Sequence, residues 1–264
     1  MKKLPLSLIT FLTFAASSAF ATTSRVLFLV TSADQIILRN GNSRPTGYFL
    51  NELTEPLMEL KRRGVAVDFA TPGGVAPTID PASLNSCLYF TPFGSSLDEA
   101  LAMVRSEPGL QRPLRLESLT ESQLSAYDGI FVPGGHGAAQ DLVASAATAR
   151  VLTHFHARGV PTGLICHGLA ALLSTNSGEG FLYAGYRMTA FSTAEEKWAE
   201  WTTLKGPSPF YADQELVLRG ALIENVLPPF RFVNVVNDRE LITGQNPFSA
   251  QAFARVFADA VVTK

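Results

Sequence analysis

Apolar residues in this sequence form short continuous runs that alternate with longer helical repeats. The run at residues 25–30 has the length and composition of a central parallel strand that is covered on both faces. Residues 47–63 place apolar side chains at helical spacing, and Gly64 then ends the predicted helix. A second apolar run at residues 65–70 completes a βαβ unit, for which we expect a right-handed crossover.

The pattern is less regular over residues 75–126. A helix is predicted over residues 96–105, and Thr120-Glu-Ser-Gln123 has the pattern of a capping box that opens another short helix. So long an interruption of a βαβ series is usually an insertion at the edge of the sheet. We therefore expect a single domain over residues 22–264 that carries an insertion at about residues 75–126.

The alternation of strands and helices resumes at Tyr127. Helices are predicted at residues 139–158 and 247–262. Strands are predicted at residues 127–132, 160–165, 186–191, 215–219, 230–236 and 241–244. This alternation predicts an α/β fold, a three-layer sandwich built on a mostly parallel central sheet.

The N-terminus has the pattern of an export signal. Two lysines precede an apolar segment at residues 4–15, and Ala19-Phe20-Ala21 is a small-x-small cleavage site. We expect cleavage after Ala21 and a mature protein in a periplasm or outside the cell. An uncleaved membrane anchor is the alternative, although the apolar segment is short for a membrane span.

Composition narrows the classes of partner. Of the 264 residues, 47% are hydrophobic and only 17% are charged, which leaves ample material for a large core. The net charge is −2, and the 21 basic residues form no long run. Nucleic acid and membrane surfaces are therefore not expected as partners of the mature protein.

The segment from Pro161 to Leu173 carries the strongest chemical signal. A short apolar strand turns sharply at Cys166 into a predicted helix, and Gly168 allows close packing behind the bend. This is the pattern of a nucleophile elbow with cysteine in the place of serine. The first turn of a helix favours a thiolate, and His167 is a titratable neighbour.

Cys87 provides an alternative role for Cys166. These are the two cysteines of the chain, and an oxidising compartment would allow them to form a disulfide bond. Cys87 lies in an ordinary loop sequence, whereas Cys166 has His and Gly beside it. The sequence favours a reactive thiol and leaves the disulfide open.

Three further groups are predicted at the sheet edge where the elbow lies, because sites in open α/β sheets lie beyond the carboxyl ends of the strands. Backbone N–H groups of residues 134–137 can face a developing oxyanion, although glycine clusters are also ordinary turns. Glu195 or Glu196 could hold the His167 ring, with a solvated helix start as the alternative. Glu52 lies off the apolar stripe of its helix, which favours a solvated charge.

Six segments in this order resemble the ThiJ/PfpI superfamily, and specifically its heat-shock-chaperone and glyoxalase III branch. The resemblance implies the flavodoxin-like, class I glutamine-amidotransferase-like fold. It covers most of the predicted mature chain and is weakest in the predicted insertion. The matching segments are Thr46-Gly-Tyr-Phe-Leu-Asn-Glu52, Val67-Asp-Phe-Ala-Thr-Pro-Gly-Gly74, Tyr127-Asp-Gly-Ile-Phe-Val-Pro-Gly-Gly-His-Gly137, Ile165-Cys-His-Gly168, Thr189-Ala-Phe-Ser-Thr-Ala-Glu-Glu196 and Leu241-Ile-Thr-Gly-Gln-Asn-Pro247.

The resemblance also implies roles for individual residues. Cys166 would be the nucleophile and His167 its partner, with Glu196 as the acidic third member and Glu195 as the fallback. Glu52 would be the carboxyl group that hydrogen-bonds the cysteine sulfur. The oxyanion hole would consist of the backbone amides of Gly135 and His167.

The activity implied by the resemblance is the conversion of methylglyoxal to lactate without glutathione. The substrate would be a small reactive aldehyde, no metal or organic cofactor would be needed, and the protein would be a homodimer. No metal-ligand cluster is evident in the sequence, because only His154 and His156 are close and positions i and i+2 of a helix do not share a face.

Other functions stay open at this point. A holdase chaperone would bind unfolded client proteins through apolar surface without the thiol. A Cys-dependent hydrolase, such as a protease, amidase or deglycase, would use the same Cys–His pair. A catalytically silent or redox-sensing member of the superfamily would carry an oxidised Cys166.

Overall fold

The computed structural model describes residues 23–84, 95–227 and 232–263 of the chain. The predicted export signal and its cleavage site lie outside these residues, as does Cys87. Across the described ranges, no helix has the length and apolar character needed to cross a membrane.

The described residues form short strands and mostly short helices. The strands are β1 Arg25–Leu29, β2 Gln35–Ile37, β3 Ser43–Pro45, β4 Ala66–Thr71, β5 Leu114–Arg115, β6 Gly129–Val132, β7 Thr162–Ile165, β8 Asn176–Ser177, β9 Gly180–Phe181, β10 Arg187–Met188, β11 Leu222–Ile223, β12 Val235–Asp238 and β13 Leu241–Gly244. The α-helices are α1 Leu50–Arg62, α2 Leu97–Arg105, α3 Pro108–Gln111, α4 Glu121–Leu124, α5 Ala138–Asp141, α6 Ala146–Ala157, α7 Thr193–Thr202, α8 Ala212–Leu218 and α9 Ala250–Val262. The 3₁₀ helices are Pro72–Gly74, Pro81–Leu84, Leu116–Ser118, Cys166–Thr175 and Pro247–Ser249.

A mostly parallel sheet organises these elements, in the order β12-β13-β7-β6-β1-β4-β5. Every neighbouring pair is parallel except β12 with β13, which is antiparallel. β6 and β7 lie side by side, so the turns that follow them meet at one edge of the sheet. This placement brings the glycine-rich turn next to the cysteine elbow.

Side chains that alternate along the strands pack into two separate cores. Leu27 and Leu29 of β1 pack with α6 and with the 3₁₀ helix after β7. Val26 and Phe28 point to the opposite face and pack with α1 and α9. Helices therefore cover both faces of the sheet, which confirms the predicted three-layer α/β fold.

Several secondary-structure predictions differ from the structure. The strand predicted at residues 230–236 lies partly outside the described residues, and within them it begins only at Val235. The helix predicted over residues 139–158 is broken into α5 and α6, and the Ser145 hydroxyl oxygen caps α6 by accepting a hydrogen bond from the Thr148 amide. The strand predicted at residues 215–219 is wrong, because these residues belong to α8 and its C-cap. The strand predicted at residues 186–191 shortens to β10, since the chain then turns toward the start of α7.

The region from β4 to β6 adds β5 to the edge of the sheet and carries α2, α3 and α4. The predicted capping box is present at α4, where Thr120 and Gln123 bind each other's backbone amides through their side chains. The segment after β1 contains the β2–β3 hairpin. The boundaries of the single domain and of its insertion stay predictions.

Candidate functional site

Cys166 occupies a sharp turn between β7 and the helix that follows. Its φ is +57°, a left-handed conformation that costs a non-glycine residue on the order of 1–3 kcal/mol. Behind the turn, a Cβ added to Gly168 would lie 2.4 Å from the Val132 carbonyl oxygen. Only glycine fits there, so the local geometry is that of the predicted elbow. The helix is 3₁₀ rather than α, and Cys166 has a free thiol that is 2% exposed.

His167 connects the thiol to a carboxylate. Its Nδ1 atom is 3.3 Å from Cys166 Sγ, and its Nε2 atom is 2.6 Å from Glu196 Oε2. Because a carboxylate only accepts, we assign the proton to Nε2, which leaves the Nδ1 lone pair facing the thiol. The adjacent side chains of Cys166 and His167 meet because the elbow bends the backbone between them.

The two candidate glutamates have different environments. Glu195 accepts hydrogen bonds from the Ser192 amide and hydroxyl, both at 2.8 Å, in the capping box that opens α7. Its other oxygen accepts from Asn246 Nδ2 at 2.7 Å. Glu196 is 3% exposed and faces the imidazole, so the structure places Glu196 and not Glu195 beside His167. A solvated helix start is excluded, because both carboxylates are buried.

Glu52 is fully buried in the first turn of α1, which contradicts the prediction of a solvated charge. Burial raises the pKa of its carboxyl group well above the usual range, and interactions with the Cys166 thiol and the Gly134 backbone offset this only in part. Neither oxygen makes a hydrogen bond of ordinary geometry within the described residues, so its contact with the sulfur is loose. Burial therefore favours the protonated form of the Glu52 carboxyl group.

The surroundings of Cys166 keep its proton in the resting protein. Burial raises the pKa of the thiol well above its usual range, and the neighbouring carboxyl groups of Glu52 and Glu195 raise it further. A hydrogen bond from the His167 backbone amide lowers it, by a smaller amount. The backbone amide at the start of the helix therefore favours the thiolate, as predicted, but burial outweighs this effect, and a base must remove the proton when the sulfur reacts.

Gly135 lies in a conformation that requires glycine. Its φ is +102°, and an added Cβ would lie 2.2 Å from the Gly47 carbonyl oxygen. The backbone N–H of His167 points at the sulfur, as its hydrogen bond to Cys166 indicates. The two amides named for the oxyanion hole thus belong to the turns after β6 and β7. Their role in binding an oxyanion stays a prediction.

His136 is a member of the site that the sequence analysis missed. Its Nε2 atom is 3.2 Å from Glu196 Oε1, and its ring centroid lies 3.9 Å from that of His167. Phe191 packs against the His167 ring, with the centroids 4.4 Å apart. Its position in the sequence could have identified it, because His136 lies in the glycine-rich turn that follows β6, the strand next to β7.

The pKa values of the two imidazoles shift in opposite directions. Burial lowers the pKa of His136, but the charge of Glu196 and its hydrogen bond outweigh burial, and the net shift is upward. For His167, burial and then the charge of His136 lower the pKa, and Glu196 does not offset them. The pKa of Glu196 is well below its usual range, because the two imidazoles outweigh burial. Of the two rings, His136 therefore keeps its proton to higher pH, and His167 loses its proton first.

Two imidazoles and a carboxylate are also donor types found in metal sites. The candidate donor atoms of His136, His167 and Glu196 lie within 4.8 Å of one another. In the structure both Nε2 atoms already bind Glu196, so the group is a closed hydrogen-bonded set, and we assign no metal ion to it. His154 and His156 bind Glu121 and Glu240 instead.

The fold and this geometry together define a class: an α/β protein with a buried cysteine at a strand-to-helix elbow, backed by an imidazole and a carboxylate. Residues 46–260 match the model of the DJ-1/PfpI family. The chain belongs to this family, and the match confirms the superfamily resemblance seen in the sequence.

Relatives along nearly the whole chain support the same branch. The protein/nucleic acid deglycase HchA of Pseudomonas aeruginosa (strain UCBPP-PA14) is 28% identical over 248 residues, covering 90% of this chain and 81% of the relative. The Rapid Encystment Protein 24 kDa of Francisella tularensis has a TM-score of 0.75 and 26% identity, over 90% of this chain and 99% of that one. Glyoxalase III of Candida albicans has the same fold, with a TM-score of 0.75 and 23% identity over 91% of this chain and 98% of that one.

Proposed function

We propose that this protein detoxifies reactive carbonyl compounds, and that its reaction is the glutathione-independent conversion of methylglyoxal to lactate. The observation that carries the proposal is the hydrogen-bonded chain Cys166–His167–Glu196, in which a neutral imidazole presents Nδ1 at 3.3 Å from the sulfur. The name of the 28% identical relative, a deglycase, supports carbonyl chemistry at such a site.

The first step joins the thiol to the aldehyde. Cys166 Sγ attacks the aldehyde carbon while its proton moves to His167 Nδ1, and Glu196 stabilises the imidazolium that forms. The aldehyde oxygen becomes an oxyanion, which the amides of Gly135 and His167 would bind. Return of the proton to this oxygen gives a neutral hemithioacetal and restores the imidazole.

The second step moves a proton between the two carbons of the substrate. A base, Glu52 or His167, removes the hydrogen of the former aldehyde carbon and gives an enediolate. Protonation of the neighbouring carbon then yields a thioester of the hydroxy acid on Cys166. Water hydrolyses the thioester, releasing lactate and the thiol. The raised pKa of Glu52 makes its carboxylate a stronger base than that of an exposed glutamate.

The substrate proposed here is a small molecule because the site is enclosed. Four residues of the site are each at most 5% exposed, namely Cys166, His167, Glu52 and Glu196. A free aldehyde of a few heavy atoms needs little room beside the sulfur, whereas a glycated protein would have to present its adduct inside the fold. Burial therefore favours glyoxalase activity on the free aldehyde over direct deglycation.

Deglycation is the second candidate, and the name of the relative from P. aeruginosa is the observation in its favour. The two can be separated with a preformed adduct of methylglyoxal and a free thiol or amine. If lactate forms no faster than the adduct releases aldehyde spontaneously, the free aldehyde is the substrate. Faster turnover of the adduct would establish deglycase activity.

The central test is Cys166→Ala, with Cys87→Ala as a matched thiol-deletion control. We expect Cys166→Ala to lower lactate formation by more than about a thousandfold, because the covalent route disappears. The control should retain most of the activity. Normal turnover by Cys166→Ala would rule out the covalent mechanism. Suppression of client aggregation that survives this variant, without turnover of any small aldehyde, would indicate a holdase chaperone instead.

Export and dimerisation are parts of the proposal that stand on the sequence. We propose a periplasmic or secreted protein whose N-terminus is Thr22, and a homodimer as its solution state. Cell fractionation with N-terminal sequencing tests the first, and native mass spectrometry tests the second. An intact Met1 in the cytosolic fraction, or a monomer at working concentration, would contradict them.

A further inference from the structure

Two imidazole rings share one carboxylate beside the thiol. Glu196 Oε2 binds His167 at 2.6 Å, and its Oε1 faces His136 at 3.2 Å, so each oxygen is committed to one ring. The rings lie 3.9 Å apart between centroids. His136 is 8% exposed and belongs to the turn after β6. A simple thiol–imidazole–carboxylate chain does not need this second ring.

We propose that His136 is a positioning residue, a buried cation that occupies the second oxygen of Glu196 and so keeps His167 a neutral base facing Cys166. The inference rests on the proposed function only in the role that it gives to His167. It requires that His136 never contacts the substrate and acts through Glu196.

The physical reason is charge repulsion between neighbouring rings. Two imidazolium ions at this separation repel each other, so one carboxylate holds one of them as a cation and leaves the other neutral. The charged and titratable groups next to His136 are Glu196 and Asp80, which both raise its pKa, and the His167 ring. The same groups act on His167, with His136 in place of its own ring. His167 also contacts the thiol, whose proton an unprotonated Nδ1 atom can accept.

A charge role and a merely structural role predict different behaviour. Removing the His136 cation would make the Cys166–His167 pair hold its protons more tightly, whether the first proton leaves from the imidazole or from the thiol. In a plot of thiol reactivity against pH, the acid limb should then move to higher pH by about one pH unit. Loss of a packing contact alone would lower activity without moving the limb.

The variant for this test is His136→Gln, which retains a polar side chain and loses the charge. His154→Gln is the matched control, because His154 also pairs with a glutamate, Glu121 of α4. The readout is the rate of Cys166 alkylation by iodoacetamide across pH, in a Cys87→Ala background. This readout needs no substrate, so it decides on His136 even if the protein does not convert methylglyoxal.

In His136→Gln, we expect the acid limb of the alkylation profile to move to higher pH. In His154→Gln it should stay where it is in the parent protein. Ring ¹⁵N titration of the unaltered protein is the second measurement, and needs no folded variant: His136 should keep its proton to higher pH than His167. An unmoved limb in a folded His136→Gln, or His167 titrating above His136, would overturn the inference. So would thiol reactivity that depends on a bound metal ion and changes with a chelator, because His136 would then be a ligand.

Discussion

The Cα atom of Gly134 lies directly against the carboxyl group of Glu52. A Cβ added there would be 2.2 Å from Glu52 Oε2 and 2.7 Å from Cys166 Cβ. The glycine-rich turn after β6 thus has a steric role in addition to any role of its amides. It leaves the space in which the acid and the thiol lie next to each other.

Gly134→Ala should therefore disrupt the site. The added methyl group has to displace Glu52 or the elbow, and overpacking of this kind typically costs about 1–3 kcal/mol of folding free energy. Thermal unfolding and the alkylation rate of Cys166 measure the two effects. Gly178→Ala is the control, because Gly178 is exposed and an added Cβ meets nothing within 4 Å. Equal behaviour of the two variants would contradict the steric role.

Glu196→Gln should lower the turnover number while leaving the fold intact. A neutral amide stabilises the His167 imidazolium far less than a carboxylate does, so we expect a loss of roughly a hundredfold or more. Glu195→Gln is the informative comparison, since Glu195 serves Ser192 and Asn246 rather than the imidazole. Glu195→Gln should therefore affect mainly the unfolding temperature, with a smaller effect on the turnover number. Steady-state kinetics and calorimetry of both variants decide between the two glutamates.

Glu52 should make the stability of the protein fall as pH rises. Its carboxyl pKa is raised in the folded state, so above the usual carboxyl value the folded protein binds more protons than the unfolded chain. The free energy of unfolding then decreases by up to about 1.4 kcal/mol per pH unit until the folded-state carboxyl group also ionises.

Denaturant unfolding at a series of pH values above the usual carboxyl pKa measures this fall in stability. The slope should diminish in Glu52→Gln, which cannot ionise, and persist in Glu179→Gln, which removes an exposed carboxyl group. A slope of the same size in Glu52→Gln would show that another group is responsible.

Two leucines of α8, Leu216 and Leu218, differ in burial. Leu216 is fully buried and shares a helix face with Ala212, whereas Leu218 is 77% exposed. Leu216→Ala should cost about 2–5 kcal/mol of unfolding free energy. Leu218→Ala should stay within about 0.5 kcal/mol of the parent protein. Equal losses would favour the strand that the sequence pattern predicts here.

That strand prediction failed for a physical reason. Glu-Leu-Val-Leu-Arg alternates in polarity over too few residues to separate a period of 2 from a period of 3.6, and packing of Ala212 and Leu216 on the same core decides for the helix. The continuous runs that became β1, β6 and β7 were predicted correctly, because their length and composition suit only a strand buried on both faces.

The sequence by itself determined the α/β fold, the elbow at Cys166 and the neighbouring His167, because each depends on local pattern and on steric rules of the backbone. Only the tertiary structure decided that Glu196 and not Glu195 faces the imidazole, that Glu52 is buried, and that His136 joins the site. These facts depend on which strands are neighbours and on which carboxylates lose their water. The pKa of the thiol depends on that loss of water and on the carboxyl groups of Glu52 and Glu195, which lie far from Cys166 in the sequence.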